Sequence, residues 1–247
     1  MLLRSRVPEL MDDPDLDRAL HVEALDGLDM LNKLSGSASA LWAELRKLEN
    51  SMANGRSFER RTIRVLDIAT GSGDNVIKLA QLAARRNVEF EFVGTDISPT
   101  AIDYAQNKAT QRAHVVSPSH SKLNVSFQKL DVLNEKIPEG FDVVMTSLFT
   151  HHLDQADVVR LLKNMHASGA RMILVNDLVR SRMSYAIVWL ASRLVTRSHV
   201  VHYDGPVSVQ ASYTPDEMKN MALEAGLNGC TVKLHPPCRQ ILTWRRL

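Results

Sequence analysis

The run Val65-Leu66-Asp67-Ile68-Ala69-Thr70-Gly71-Ser72-Gly73 constrains this chain more than any other stretch. It sets a glycine-rich turn between an apolar strand and a helix. Gly71 and Gly73 can take the positive φ that such a turn needs, and they admit a ligand to the backbone with no Cβ in its path. The helix that follows presents unpaired N–H groups at its start, suited to a carboxylate or a phosphate. A third glycine at position 76 would complete the dinucleotide pattern GxGxxG, but Val76 stands there.

From Ile63 onward, strand, loop and helix alternate. Strands are predicted over 63–68, 90–95, 124–130, 141–147 and 171–176, and helices over 76–85, 99–112 and 155–167. Short, nearly continuous apolar strands between helices indicate a parallel sheet covered on both faces. Ser98 followed by Pro99 reads as a helix cap with proline at the first helical position. Thr214-Pro215-Asp216-Glu217 is a capping box opening a further helix, which Gly226 ends, and two β segments follow at 231–234 and 240–244. Before the sheet, Leu16, Leu20, Ala24, Leu28 and Leu31 share one helical face, and Leu41, Trp42, Leu45 and Leu48 share another. Asn54-Gly55-Arg56-Ser57 reads as a linker. The expected organisation is an N-terminal helical cap over 1–57 and an α/β domain over 58–247.

Composition narrows the setting. The chain has 247 residues and is 45% hydrophobic, enough for a substantial core. Thirty Lys and Arg against 28 Asp and Glu give no basic excess of the kind nucleic-acid binders concentrate on one face. Two cysteines, Cys230 and Cys238, cannot build a disulfide framework, which suits a reducing cytoplasm. The start reads as no signal peptide, and the apolar-leaning run 183–195, broken by Arg193, falls short of the roughly 20 residues a spanning helix needs. A soluble cytoplasmic protein is expected, as a monomer or homodimer.

The strand ends carry the discriminating polar groups. Phe92-Val93-Gly94-Thr95-Asp96 closes on a carboxylate able to accept hydrogen bonds from both hydroxyls of a ribose. Because Ser98 supplies the next helix cap, Asp96 is expected to be free for ligand. The third strand runs into Leu130-Asp131-Val132, where a carboxylate could receive an adenine amino group, and the fourth ends in Thr146-Ser147. Ligands on such sheets bind beyond the carboxyl ends of the strands, where Gly71, Asp96, Asp131 and Ser147 should converge.

This ordered set resembles the class I S-adenosylmethionine-dependent methyltransferases over about residues 63–180, with the tail from Thr214 fitting their closing elements. The family's first motif is met by Asp67, Gly71 and Gly73, although Ala69-Thr70 stands where many members have Gly-Cys or Gly-Thr. Its ribose-reading acid falls on Asp96, its adenine-side acid on Asp131, and its fourth motif on 146–152. The resemblance implies a Rossmann-like, doubly wound, seven-stranded and mostly parallel sheet with an antiparallel last strand, an N-terminal helical cap and an inserted helical lid. It implies S-adenosyl-L-methionine as cofactor and S-adenosyl-L-homocysteine as product. Cofactor contacts are then expected from Asp67, Ala69, Thr70, Gly71, Gly73, Asp96, Ile97, Asp131, Val132, Ser147 and Leu148. The block from Ser147-Leu148-Phe149-Thr150-His151-His152 to Val175-Asn176-Asp177 is similar to bacterial methyltransferases of the quinone and polyketide type.

The expected acceptor is therefore a small hydrophobic molecule, phenolic, quinone-like or polyketide, with oxygen, carbon and nitrogen all open as the methylated atom. His152, and after it His151, are candidate general bases, because methylating a hydroxyl releases a proton. No histidine–carboxylate group has metal-ligand spacing, so no metal is expected. Residues 178–212 exceed what such a sheet needs and form a candidate lid, with an apolar helix over 184–195. The acceptor pocket is expected from Trp42, Tyr185, Trp189 and His202. The lid helix could also rest on a membrane surface. Two rival readings use the same residues: an NAD(P)- or nucleotide-sugar-dependent oxidoreductase, against which Val76 argues, and a catalytically silent methyltransferase-like binding protein.

Overall fold

In a computed structural model of the chain, the described residues are 2–13, 15–53, 62–86, 88–116 and 123–246. The predicted linker at 54–57, and with it the expected boundary at 57/58, lies outside them.

The sheet grows outward from β1 (Ile63–Ile68), five of whose six residues are buried. β1 pairs in parallel with β2 (Phe90–Asp96) and β4 (Val143–Ser147). Beyond them lie β3 (Val125–Lys129) and β5 (Met172–Leu178), also parallel. β7 (Arg239–Arg245) then pairs antiparallel with β5, and β6 (Thr231–His235) antiparallel with β7, giving the order β3-β2-β1-β4-β5-β7-β6. Seven strands with one reversed match the expected sheet. Strand order turns around between β1 and β4, the place where an open parallel sheet leaves a crevice at its carboxyl edge.

Helices cover both faces. α3 (Asp74–Arg85) and α4 (Pro99–Val116) flank one side of the crossover, and α5 (Gln155–Ala167) and α8 (Pro215–Glu224) the other. The Thr214 capping box forms as the sequence demands, Thr214 Oγ1 accepting from Glu217 N while the Glu217 carboxylate accepts from Thr214 N. Two apolar clusters result, one on each face of the sheet, meeting through residues such as Ile68, Val144 and Ile173 on one side and Val65, Val143 and Met172 on the other.

The N-terminal helices divide in role. α2 (Ser37–Ala53) buries Leu41, Trp42, Leu45 and Leu48 in the same cluster as α3 and β2, so it belongs to the covering layer of the sheet. α1 (Arg18–Leu34) instead packs on the inserted segment, where Ala24 meets Val200 and Val201. That segment holds two helices, α6 (Arg182–Val195) and α7 (His199–Ala211). Sequence reasoning found only α6, because Gly205-Pro206 in α7 reads as a break. Proline removes one helical hydrogen bond, yet α7 buries Val200, Val201, Pro206 and Val209, and this packing outweighs the propensity. Gly205 also allows close approach of α6: a Cβ there would lie 3.0 Å from Val188.

Phe127 is the wedge between β2, β3 and the glycine turn. A Cβ on Gly94 would fall 2.7 Å from its ring, and one on Gly73 2.8 Å. We therefore expect Gly94→Ala to destabilise the fold by about 1–3 kcal/mol. The midpoint of denaturant unfolding measures this; an unmoved midpoint would contradict the packing described.

Candidate active site

The turn after β1 is built on three alternate residues with positive φ. Ala69 has φ 53°, Gly71 54° and Gly73 74°. For Ala69 this left-handed conformation costs about 1 kcal/mol, which explains why glycine suits this position in the family the sequence resembles. The turn is held from below: Thr70 N donates to Thr95 O (2.8 Å), Thr70 Oγ1 to Asp67 Oδ2 (2.7 Å) and Gly73 N to Thr70 O (3.0 Å). A Cβ on Gly71 would meet nothing within 4 Å, so this backbone is open to a ligand. Gly73 differs from the expectation, since its bare Cα accommodates Phe127 and Ala105.

Asp96 is not the free acceptor that the sequence suggested. Its Oδ2 accepts from Gly71 N (2.9 Å) and its Oδ1 from Ser98 N (2.9 Å). The carboxylate thus ties the glycine turn to the start of α4, while Ser98 Oγ separately caps Ala101 N. Each oxygen keeps a further lone pair for a hydroxyl. Asp131 is likewise engaged, accepting from Leu133 N, Asn134 N and Asn134 Nδ2, and the Asn134 amide holds its carboxyl below the usual range. Val132 is buried in the core, whereas Ile97 is 57% exposed beside the turn. Ser147 Oγ accepts from Asn176 Nδ2 (3.4 Å), and Leu148 follows with φ 55°. The structure therefore gathers Ala69–Gly73, Asp96, Ile97, Asp131, Ser147 and Leu148 along one edge of the sheet.

Asp67 carries the sharpest signal at that edge. It is 2% exposed, and its Oδ1 is buried with no partner. Burial pushes its carboxyl up to about 7 against the Thr70 hydrogen bond. A buried acceptor left unmatched calls for a donor, and a cationic one would offset its desolvation best.

A second cluster lies beyond β4 and β5. His151, buried, donates from Nδ1 to Asp177 Oδ1 at 2.7 Å, and its Nε2 lies 3.6 Å from Glu9 Oε1. Burial alone would strip the proton from this imidazole, but Asp177 and Glu9 outweigh it and raise the group to about 10. His151 is thus an imidazolium at neutral pH, and Asp177 is drawn down to about 2 against its own burial. That raised value favours a proton already on His151, where the sequence placed a candidate base. His152 stacks beside it, ring centroids 4.3 Å apart, with Nδ1 3.5 Å from Asp12 Oδ2. Glu9, His151 and His152 bring ligand atoms within 4.8 Å of one another, a spacing the sequence could not reveal because Glu9 is remote in the chain.

Glu9 arrives on an N-terminal strap over residues 2–13. Arg4 donates to Ala211 O and Leu153 O, and Arg6 to His152 O. Leu10 N and Met11 N donate to Asp204, whose carboxyl burial raises to about 6. Beneath the strap is a cavity of about 220 Å³. Its walls come from α1 (Leu28, Leu31, Asn32), α6 (Ile187, Val188, Ala191), α7 (Asp204, Gly205, Ser208) and the turn before β7 (Pro237, Cys238, Arg239). Leu148, His151, His152, Leu178 and Glu9 close the end nearest the sheet edge.

The four residues expected to form the acceptor pocket do not line this cavity. Trp42 is a core residue, 5.4 Å from Phe90, on the layer that α2 covers. Trp189 is 44% exposed on the outer face of α6, under the Arg193 guanidinium at 4.1 Å. His202 is spent on its own neighbourhood, Nε2 with Thr196 O at 2.9 Å. Tyr185 packs with Leu178, Val209 and Cys238, adjoining the cavity wall without forming it. The aromatic count misled because large rings in helices more often fill cores; the lining aliphatics of α1 and α6 carried the amphipathic signal instead.

Comparison with known proteins agrees with this architecture. A family model described as a methyltransferase domain matches residues 65–169. A demethylmenaquinone methyltransferase from Thermus thermophilus is 26% identical over 211 residues, 81% of this chain and 87% of that protein. One from Deinococcus radiodurans is 30% identical over 114 residues, 45% of this chain and 42% of that protein. Among solved structures, magnesium protoporphyrin IX methyltransferase from Synechocystis with bound S-adenosylhomocysteine superposes with a TM-score of 0.56 at 16% identity, over 89% of this chain and 86% of that one. The methyltransferase domain of the citrinin polyketide synthase gives 0.56 at 13% identity, over 84% of this chain and 53% of that one.

The charge on His151 has a measurable consequence. Its folded pKa of about 10 lies above the ordinary value of 6.5. The pairing therefore contributes stability that is complete below about pH 6.5 and is lost as pH rises through about 10. The unfolding midpoint of the wild type should fall over that window, and His151→Gln should flatten the slope. Equal slopes in both proteins would contradict the buried imidazolium.

Proposed function

We propose that this chain, a class I S-adenosylmethionine-dependent methyltransferase, transfers a methyl group to a small, planar, apolar and hydroxylated acceptor held under α1, α6 and α7. The observation that carries this reading is the position of the cavity: its inner wall is Leu148, the residue that also ends the cofactor edge. Demethylmenaquinone, the acceptor in the names of both bacterial relatives, is of this apolar class.

The residues present fit the cofactor. The unpartnered Oδ1 of buried Asp67 suits an ammonium donor. The open backbone at Gly71 admits close approach, and the outer lone pairs of Asp96 suit paired hydroxyls. Thr70, Asp131, Ser147 and Leu148 complete the edge. When bound, S-adenosylmethionine supplies a methyl group already activated on a sulfonium.

What the chain must add is alignment, exclusion of water and control of a proton. The cavity walls are aliphatic on α1 and α6 and orient a flat apolar body against Leu148. The His151 imidazolium, fixed by Asp177, favours negative charge on an acceptor oxygen beside it. His152 lines the same end, and Asp12 engages its Nδ1, leaving Nε2 to receive the acceptor hydroxyl proton. On this assignment, His152→Asn lowers kcat about 10²–10⁴-fold for a hydroxyl acceptor while leaving S-adenosylhomocysteine affinity unchanged. Steady-state kinetics with calorimetry tests it, and an unaltered kcat would remove His152 from the chemistry.

The same lid offers an outer face suited to a bilayer. No helix among the described residues is long and apolar enough to cross a membrane. α6, however, exposes Met183 (68%), Leu190 (52%) and Leu194 (76%) along the flank beside its cavity-lining residues. Arg182, Arg193 and the following Arg197 are exposed around this stripe, a pattern that attracts anionic headgroups. Co-flotation with vesicles containing phosphatidylglycerol is expected, weakened by added salt and by Leu194→Glu. Absence of flotation at low salt would dispose of the membrane contact.

A further inference from the structure

The acceptor cavity contains a cation that the chain itself answers only with neutral groups. Arg239 begins β7, lines the cavity and is 4% exposed. Its Nε donates to Ser35 Oγ (3.1 Å) and its Nη2 to Asn32 Oδ1 (2.7 Å), both at the end of α1. Its Nη1 is buried with no partner. Among the described residues no carboxylate stands within ion-pair distance of it.

The acids around it are committed elsewhere. Asp177, which faces Arg239 at longer range, accepts from Thr150 Oγ1, His151 N, the His151 ring and Leu178 N. Glu9 is held by Ser208 and His151, and Asp204 by the Leu10 and Met11 amides. Cys238, its chain neighbour, keeps its proton because burial raises the thiol. Burial also lowers the guanidinium's own pKa, but an arginine side chain stays charged in any protein environment. A role confined to pinning the end of α1 to β7 would use Nε and Nη2 alone. It gives no reason to bury a full charge with one donor nitrogen unmatched, an arrangement that is costly unless an anion completes it.

We propose that Arg239 is the anion seat of the acceptor pocket, so that the methyl acceptor is an aromatic or polyketide-like hydroxy acid, with its acidic oxygen at Arg239 and its hydroxyl at the His151–His152 end. This deepens the methyltransferase reading and rests on it. The cavity wall carries two sets of polar groups, a guanidinium held by the end of α1 and a histidine pair beside the strap, together with the aliphatic side chains of α1 and α6. A flat body with an acid at one side and a hydroxyl at the other satisfies both. The cavity of about 220 Å³ has room for a fused two-ring body.

The test uses 6-hydroxy-2-naphthoate and its uncharged isostere 6-hydroxy-2-naphthamide, titrated by calorimetry into the intact protein saturated with S-adenosylhomocysteine. The wild type is expected to bind the acid at least about tenfold more tightly than the amide. Arg239→Met should erase that preference, and Arg239→Lys should restore part of it. Equal affinity of acid and amide for the wild type, failure of both to bind, or a preference surviving Arg239→Met would each overturn the proposal. The wild-type comparison stands even if the variants do not fold. Titration of S-adenosylhomocysteine alone separates the two levels: if it binds and the acid is not preferred, the anion seat fails by itself, and if it does not bind, the methyltransferase reading fails with it.

Discussion

The carboxylate of Asp177 is the point on which the reactive half of this molecule depends. It sits at the end of β5, fully enclosed, and accepts from a threonine hydroxyl, a backbone amide and an imidazole of the loop that follows β4. A buried carboxylate without such partners would be untenable. With them it fixes the loop, the ring of His151 and that ring's charge at once. His151 in turn gives Glu9 something to face, and Glu9 sits on the strap that roofs the cavity. Removing one member would leave the others as uncompensated buried charges, so strap, loop and strand end are held as a unit.

The two halves of the site are built by different means. The edge is local: the ends of β1, β2, β3 and β4 with the turns that follow them, tied by hydrogen bonds across adjacent strands, with backbone strain at Ala69 and Leu148 borne by the surrounding sheet. The cavity beneath the strap is assembled from distant parts of the chain. α1, the inserted α6 and α7, the turn before β7 and the N-terminal strap meet only when the sheet has formed. Gly205 lets α7 close on Val188 of α6, Gly27 lets α1 close on Thr196 between the two inserted helices, and Ser37 Oγ accepts from Asn176 Nδ2 to anchor the start of α2 over the strand ends. Methyl transfer needs a rigid seat for a common donor and an adaptable chamber for a particular acceptor, and the fold separates these requirements spatially.

Legibility in the sequence follows the same division. Apolar periodicity and caps located all seven strands, and Gln155–Ala167 and Ile63–Ile68 agree to the residue. The glycine turn and the acids at the strand ends were readable because they are set by short-range rules. Asp96 was misjudged as free because a cap at Ser98 hides nothing about a bond to Gly71, which folding alone creates. α7 was missed because Gly205-Pro206 obeys local rules that burial overrode. Glu9, Asp204 and Arg239 carry no local signal: each matters through partners roughly 140 to 200 residues away or through a cavity wall, and no spacing announces such pairs. Trp42 failed as a pocket residue for the converse reason, an aromatic being as useful in a core as at a ligand.

The central claim is that the cavity beneath the strap is where the methyl group is received. It is tested most directly by transfer of radiolabelled methyl from S-adenosylmethionine into 6-hydroxy-2-naphthoate or into apolar acids extracted from cells, using the wild type and a variant, Ala191→Trp, whose indole fills the cavity from α6. The account predicts labelled acceptor with the wild type and none with the variant, while both bind S-adenosylhomocysteine equally. Undiminished labelling by a folded Ala191→Trp protein would place the acceptor elsewhere and contradict the account.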